Sequence, residues 1–172
     1  MKDRWALSLL GVWVMGSLML FVVAPTNFRV VDELLGGSDN TSFRALVERL
    51  GNAPTRELLR YLSSELNREL FFKWNLAQLP LGALVFWLLP RGPGTRALRG
   101  ITLGAIALVL VLLLVLTPLI TQVGRSLDFV PRDPPPPQLA RFQLLHVAYT
   151  GLEVVKVALV AVVTVRLARR AP

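Results

Sequence analysis

The stretch "ITLGAIALVLVLLLVLTPLI", residues 101–120, runs twenty positions without a charge. As a helix rising 1.5 Å per residue it would span about 30 Å, the thickness of a bilayer's hydrocarbon core. Nothing in that core replaces water as a hydrogen-bond partner, so a crossing segment must satisfy its own backbone, and a helix does so. Three further runs read the same way, at residues 5–24, 71–89 and 142–165. With 53% hydrophobic and only 17% charged residues, the 172-residue chain is too apolar for an ordinary soluble domain. The expected fold is therefore all-α: an integral membrane four-helix bundle forming a single domain over residues 1–172. An amphipathic helical outer loop (residues 25–70) joins helices 1 and 2, and a proline-rich outer loop (121–141) joins helices 3 and 4.

Charge placement orients these spans. Lys2, Arg4, Arg91, Arg96, Arg99, Arg166, Arg169 and Arg170 fall on one side, opposed there by Asp3 alone. The other side, with Lys73 at its lip, balances ten basic against nine acidic residues. An excess of lysine and arginine beside short connections marks the cytoplasmic face, so both termini are expected inside, in the cell's inner membrane. This asymmetry accounts for the net charge of +8. It leaves no basic surface with interleaved aromatics, and so no nucleic-acid partner. The N-terminal "MKDR" and the apolar run behind it resemble a signal peptide. The run is too long, however, and ends in Val23-Ala24-Pro25 without a small-x-small cleavage site, so it reads as a retained anchor.

Small residues Gly11, Gly16 and Ser17 in the first span suit close helix approach. Pro25 is expected to stop that span. In "SFRALVERLG", Phe43, Leu46, Val47 and Leu50 share one face behind the capping candidates Asn40, Thr41 and Ser42. This short helix either caps the bundle or lies on the membrane surface. A new helix restarts at Pro54-Thr55 and runs into the second span, where Asn75, Gln78 and Gly82 share a face. Pro118 is expected to bend or end the third span. The four prolines of "RDPPPPQ" favour an extended polyproline spacer.

The fourth span carries the polar groups of greatest interest. His146, Tyr149, Glu153 and Lys156 follow at intervals of three, four and three, which places them on one helix face. An ionisable group in the membrane costs about 2.5–3.5 kcal/mol on insertion scales, so such a face turns inward and pairs its charges. Glu153 and Lys156 stand one turn apart, as an ion pair would. Asn75 and Gln78 on the second span lie level with His146 and Glu153 in the outer half, and with these two and the deeper Lys156 they are expected to line a pocket opening outward. The same groups also suit interhelical hydrogen-bond glue, so structural and solute-binding readings both stand.

Several short motifs resemble the transmembrane protein 205-like family, a four-helix membrane group loosely related to copper-resistance D proteins. They are "VVAPTNF" (Ala24, Pro25, Phe28), "LTPLI" closing the third span, and "RFQLLH" (Arg141, Phe142, Leu145, His146) opening the fourth. The resemblance implies four helices with both termini inside. Copper handling would call for histidines, methionines or cysteines, whereas this chain has one histidine, three methionines and no cysteine. No metal site and no cofactor are expected. Sixteen arginines against three lysines suit a GC-rich bacterial genome. With no nucleophile–base pair, zinc motif or phosphate-binding glycine loop, the chain is not expected to be an enzyme. The leading expectation is a small membrane protein acting by association, as an accessory subunit or a homo-oligomer. The alternative is a small-solute or ion transport or resistance protein that uses the polar face.

Overall fold

Pro25 and Pro118 interrupt the apolar runs, and the way each is absorbed shapes the molecule. In the computed structural model, which describes residues 2–170, helix α1 (Lys2–Gly37) continues past Pro25. The expectation that the span stops there is corrected. A proline removes one backbone donor and crowds the carbonyl four residues back, so an isolated helix would break. Here α3 (Asn52–Leu88) braces the helix on both sides of the proline. Asn67 Nδ2 donates to the Ala24 carbonyl at 3.0 Å, and Asn67 Oδ1 accepts from Asn27 Nδ2 at 2.7 Å. Ser63 Oγ donates to the Asn27 carbonyl at 3.1 Å. The outer loop expected at residues 25–70 is thus largely helical, made of the extensions of α1 and α3 with α2 between them.

Helix α2 (Thr41–Leu50) forms where its periodicity places it. The Asn40 side chain accepts from Phe43 N–H at 3.0 Å. Gly51 ends the helix with φ 89°, a conformation that disfavours a side chain, and its N–H reaches the Val47 carbonyl at 2.8 Å. Thr55 then returns a hydroxyl to the Gly51 carbonyl at 2.8 Å, opening α3. Helix α2 packs on α3 and buries none of its own residues.

Helix α4 (Arg96–Val111), a π turn (Leu112–Leu116) and α5 (Thr117–Arg125) form one rod. In the π turn Thr117 N–H bonds to the Leu112 carbonyl, five residues back. This widened turn accommodates Pro118, whose ring would otherwise crowd the carbonyl of Leu114. The rod reaches Arg125, and α6 (Gln138–Ala168) begins four residues earlier than expected. The loop anticipated at 121–141 therefore shrinks to 126–137.

The long helices contact one another in the order α1–α3–α4–α6 and back to α1. At the end where the chain starts and finishes, Ala6, Leu10, Trp13, Leu98, Val160 and Leu167 belong to one buried apolar cluster. A smaller cluster of Leu112, Leu116 and Tyr149 lies further along. Glycines set two close approaches. A methyl group on Gly16 would stand 2.0 Å from the Trp74 ring, and one on Gly82 would stand 2.7 Å from Trp13. Gly11 faces open space, so it has no such role. Two of the helical segments, Lys2–Gly37 and Pro93–Arg125, are long and apolar enough to cross a membrane.

Candidate functional site

Between the two apolar clusters runs a chain of polar side chains. Helical spacing carries Tyr149, Glu153 and Lys156 to the inward face of α6, where all three are buried. Lys156 Nζ donates to both Glu153 Oε1 and Gln78 Oε1. Gln78 Oε1 also accepts from Trp13 Nε1 at 2.7 Å, while its Nε2 donates to Asn75 Oδ1 at 3.1 Å. Asn75 Nδ2 in turn donates to the Tyr149 hydroxyl at 2.8 Å and to Thr117 Oγ1 at 3.2 Å. One connected network thus ties all four long rods together. Asn75, Gln78 and Lys156 have no exposed surface at all.

One atom is left out of this accounting. Glu153 Oε2 is buried and has no hydrogen-bond partner among the described residues. An unmet buried acceptor costs free energy, and more so when it carries charge. Glu153 lines a cavity of about 440 Å³ to which all four long rods contribute. Its walls are mainly apolar, with Leu20, Phe21 and Phe28 from α1, Phe71 from α3, Ile120 from α5 and Phe142 from α6. Tyr149 and Thr117 join Glu153 on the lining, and Arg68 and Thr121 also line it.

The six residues of the expected polar face therefore divide. Tyr149 and Glu153 lie on the cavity and in the network. Asn75, Gln78 and Lys156 belong to the network but do not line the cavity, which corrects the expectation that they would. His146 shares the helix face and lines the cavity, yet it is exposed, packs on the Phe142 ring at 5.3 Å between centroids, and takes no part in the network. Trp13 and Thr117 were not expected. A tryptophan near a span's start reads as an interfacial anchor, and a threonine before a proline reads as a helix end. Trp13 lies eight residues beyond Trp5, too deep for an anchor, and that depth was the available signal.

Beyond the cavity, a charged clamp fastens α3 to α5 and the following loop. Arg68 pairs with Glu65 and, at 3.0 Å, with Asp128, while Arg125 reaches Glu65 at 3.3 Å. The hydrogen bond from Arg125, reinforced by Arg68 against an opposing effect of burial, holds the Glu65 carboxyl below its usual range. At the opposite end, Lys2, Arg4, Arg91, Arg96, Arg99, Arg166, Arg169 and Arg170 form no ion pair with the described residues. Lys2 stands over Trp87 at 5.4 Å. Arg99 stacks on Phe86 at 4.0 Å and reaches the Phe86 and Leu89 carbonyls.

Among the described residues no group of three His, Cys, Asp or Glu side chains could hold a metal ion. The chain matches no family model, no curated protein and no solved structure, so its likeness to the transmembrane protein 205-like family rests on the three quoted motifs.

Proposed function

We propose that this chain is a non-enzymatic integral membrane protein whose four long rods cross the inner membrane, with both termini in the cytoplasm, and that it binds a small molecule in its outward half. The lipid bilayer is then its solvent. Large apolar side chains on the outer surfaces support this: Trp5, Val22, Leu114 and Val147 are each more than 60% exposed. Water would penalise such a surface and acyl chains would not. The unpaired basic end suits the cytoplasmic face, and the charge-balanced end suits the outside.

A binding role is carried by one observation: a half-satisfied carboxylate, Glu153, on the wall of a 440 Å³ cavity. That volume lies within the roughly 300–1,000 Å³ of small-molecule sites, which are mostly apolar with a few polar groups fixing the ligand. The cavity is blind toward the cytoplasm. Lys156, Gln78 and Trp13 and the apolar cluster beyond them are packed with almost no exposed surface, so this conformation offers a receptacle and not a through-path. Transport would need that plug to open. Native mass spectrometry of protein released from membranes tests the binding role: wild type should retain a small-molecule adduct that Leu20→Trp, which carries an indole into the cavity, lacks. Identical bare masses for the two proteins would remove the cavity from the function.

Association is a second reading, carried by a different surface. Leu58, Leu62 and Leu66 of α3 follow at intervals of four and are each about half exposed, among charged neighbours that suit the aqueous side. A leucine row of that spacing is what a facing helix of a second copy or a partner subunit would cover. If copies of this chain meet there, oxidation of Leu62→Cys should give a covalent dimer on non-reducing gels. Monomer alone under oxidising conditions would leave the row to some other partner.

A further inference from the structure

We infer that the cavity takes a neutral, hydroxyl-bearing apolar molecule whose O–H donates to Glu153 Oε2, a small turn of that side chain bringing the covered oxygen onto the cavity wall. This deepens the binding role proposed above and rests on it.

The unmet group is an acceptor, so the ligand must bring a donor. An anion would find no cation to meet it. Lys156 is consumed by Glu153 and Gln78, and Arg68 by Glu65 and Asp128. A cation fares little better, because Glu153 is already neutralised by a lysine with no exposed surface. A second positive charge at Oε2 would lie close to that buried ammonium, in surroundings that screen poorly. A metal ion lacks further ligands among the described residues. A neutral donor completes the carboxylate without adding charge.

Among neutral donors the walls select the smallest head. An amide would also bring a carbonyl, which needs a donor of its own from the lining, and Ser64 and Asn67 there already donate to the Arg60 and Ala24 carbonyls; an unmet carbonyl is costly. A hydroxyl brings one donor on a compact atom, and the rest of the molecule is hydrocarbon against hydrocarbon. The aromatic and aliphatic lining and the blind, polar floor together describe a receptacle for an alcohol with an apolar body. Such an alcohol can come from the bilayer, as a hydroxyl-headed lipid, or from the aqueous phase outside.

Binding of radiolabelled 1-dodecanol to the full chain in phosphatidylcholine nanodiscs tests this, with empty nanodiscs as background. Unlabelled 1-dodecanol should displace the label about tenfold better than dodecyl methyl ether, which keeps the oxygen and loses the donor; that is the share of one hydrogen bond to a charged group. It should also outcompete dodecylammonium. Glu153→Leu combined with Lys156→Met should bind alcohol and ether alike, and Leu20→Trp should bind neither. The comparison on wild-type protein decides the matter even where the double variant does not fold. Equal displacement by ether and alcohol, or preference for the ammonium, would overturn the hydroxyl assignment while leaving a binding cavity. Label bound no better by wild type than by Leu20→Trp would overturn the cavity's role as well. Dioleoylglycerol confined to the nanodisc should displace the label if the bilayer is the source and leave it in place if the source is aqueous; the hydroxyl assignment holds in both cases.

Discussion

A lysine without exposed surface must have its charge answered within hydrogen-bond reach, and Lys156 meets a carboxylate and an amide there. Pairing in low dielectric repays desolvation only incompletely, so the two partners do not contribute as independent stabilisers. Lys156→Met should strand Glu153 with no donor at all, costing roughly 3–5 kcal/mol. Glu153→Leu with Lys156→Met should recover most of that loss, because two apolar groups then replace two charges. Denaturant unfolding in mild detergent measures both, and a double variant less stable than the single one would show that the pair stabilises in its own right. The pair was legible from sequence through its three-residue spacing within an apolar run. His146 shares the same spacing but not the burial. At its level the α6 face looks onto the cavity and not onto another helix, and periodicity cannot register an empty neighbour.

Helix identities are legible from hydrophobic runs, and helix ends are not, because Pro25 reads as a stop and Pro118 as a bend or an end. Each is overridden by a partner the local sequence does not contain or by a widened turn: Asn67 and Ser63 act across forty residues of chain at α1, and Thr117 uses a five-residue hydrogen bond at the π turn. Asn67 sits in a segment that reads as an ordinary polar helix, so nothing local marks it as the support of Pro25. The clamp between α3 and α5 was likewise invisible, since Glu65 and Arg125 are sixty residues apart. Its stability has a sign. The folded Glu65 carboxyl titrates below its unfolded value, so its contribution is fully present above the ordinary glutamate range, near pH 4.3, and is lost as pH falls through the folded value. Thermal midpoints measured from about pH 5 down to about pH 2 should therefore drop more steeply in wild type than in Glu65→Gln. Parallel curves would mean that Arg125 and Arg68 do not stabilise the junction. Both ends of the Arg125 contact are partly open to water, so the difference should shrink at high salt.

At the scale of the molecule, two segments stand out as membrane-crossing by length and composition, whereas four rods pack together. The discrepancy has a physical origin. Composition averages over a helix's whole circumference, but lipid meets only its outer face. Asn75 and Gln78 on α3, and Glu153 and Lys156 on α6, make their segments more polar while lying buried between the helices, away from whatever meets their outer faces. The outward surfaces of the same helices carry Leu76, Leu84, Val147 and Val154, all about half exposed or more. If α3 and α6 cross the membrane beside α1 and the Pro93–Arg125 rod, as proposed, Ser38 and Pro135 share the outer face and Gly94 the inner one. The chain contains no cysteine, so single replacements at these three positions each introduce a lone thiol. A membrane-impermeant maleimide applied to intact spheroplasts should label Ser38→Cys and Pro135→Cys, and should label Gly94→Cys only after lysis. Positions 38 and 135 are separated by α3 and by the rod that contains α4. Labelling them on opposite faces would mean that only one of those two crosses. The polar network would then have no membrane to hide from, and the reason for burying Lys156 would have to be sought elsewhere.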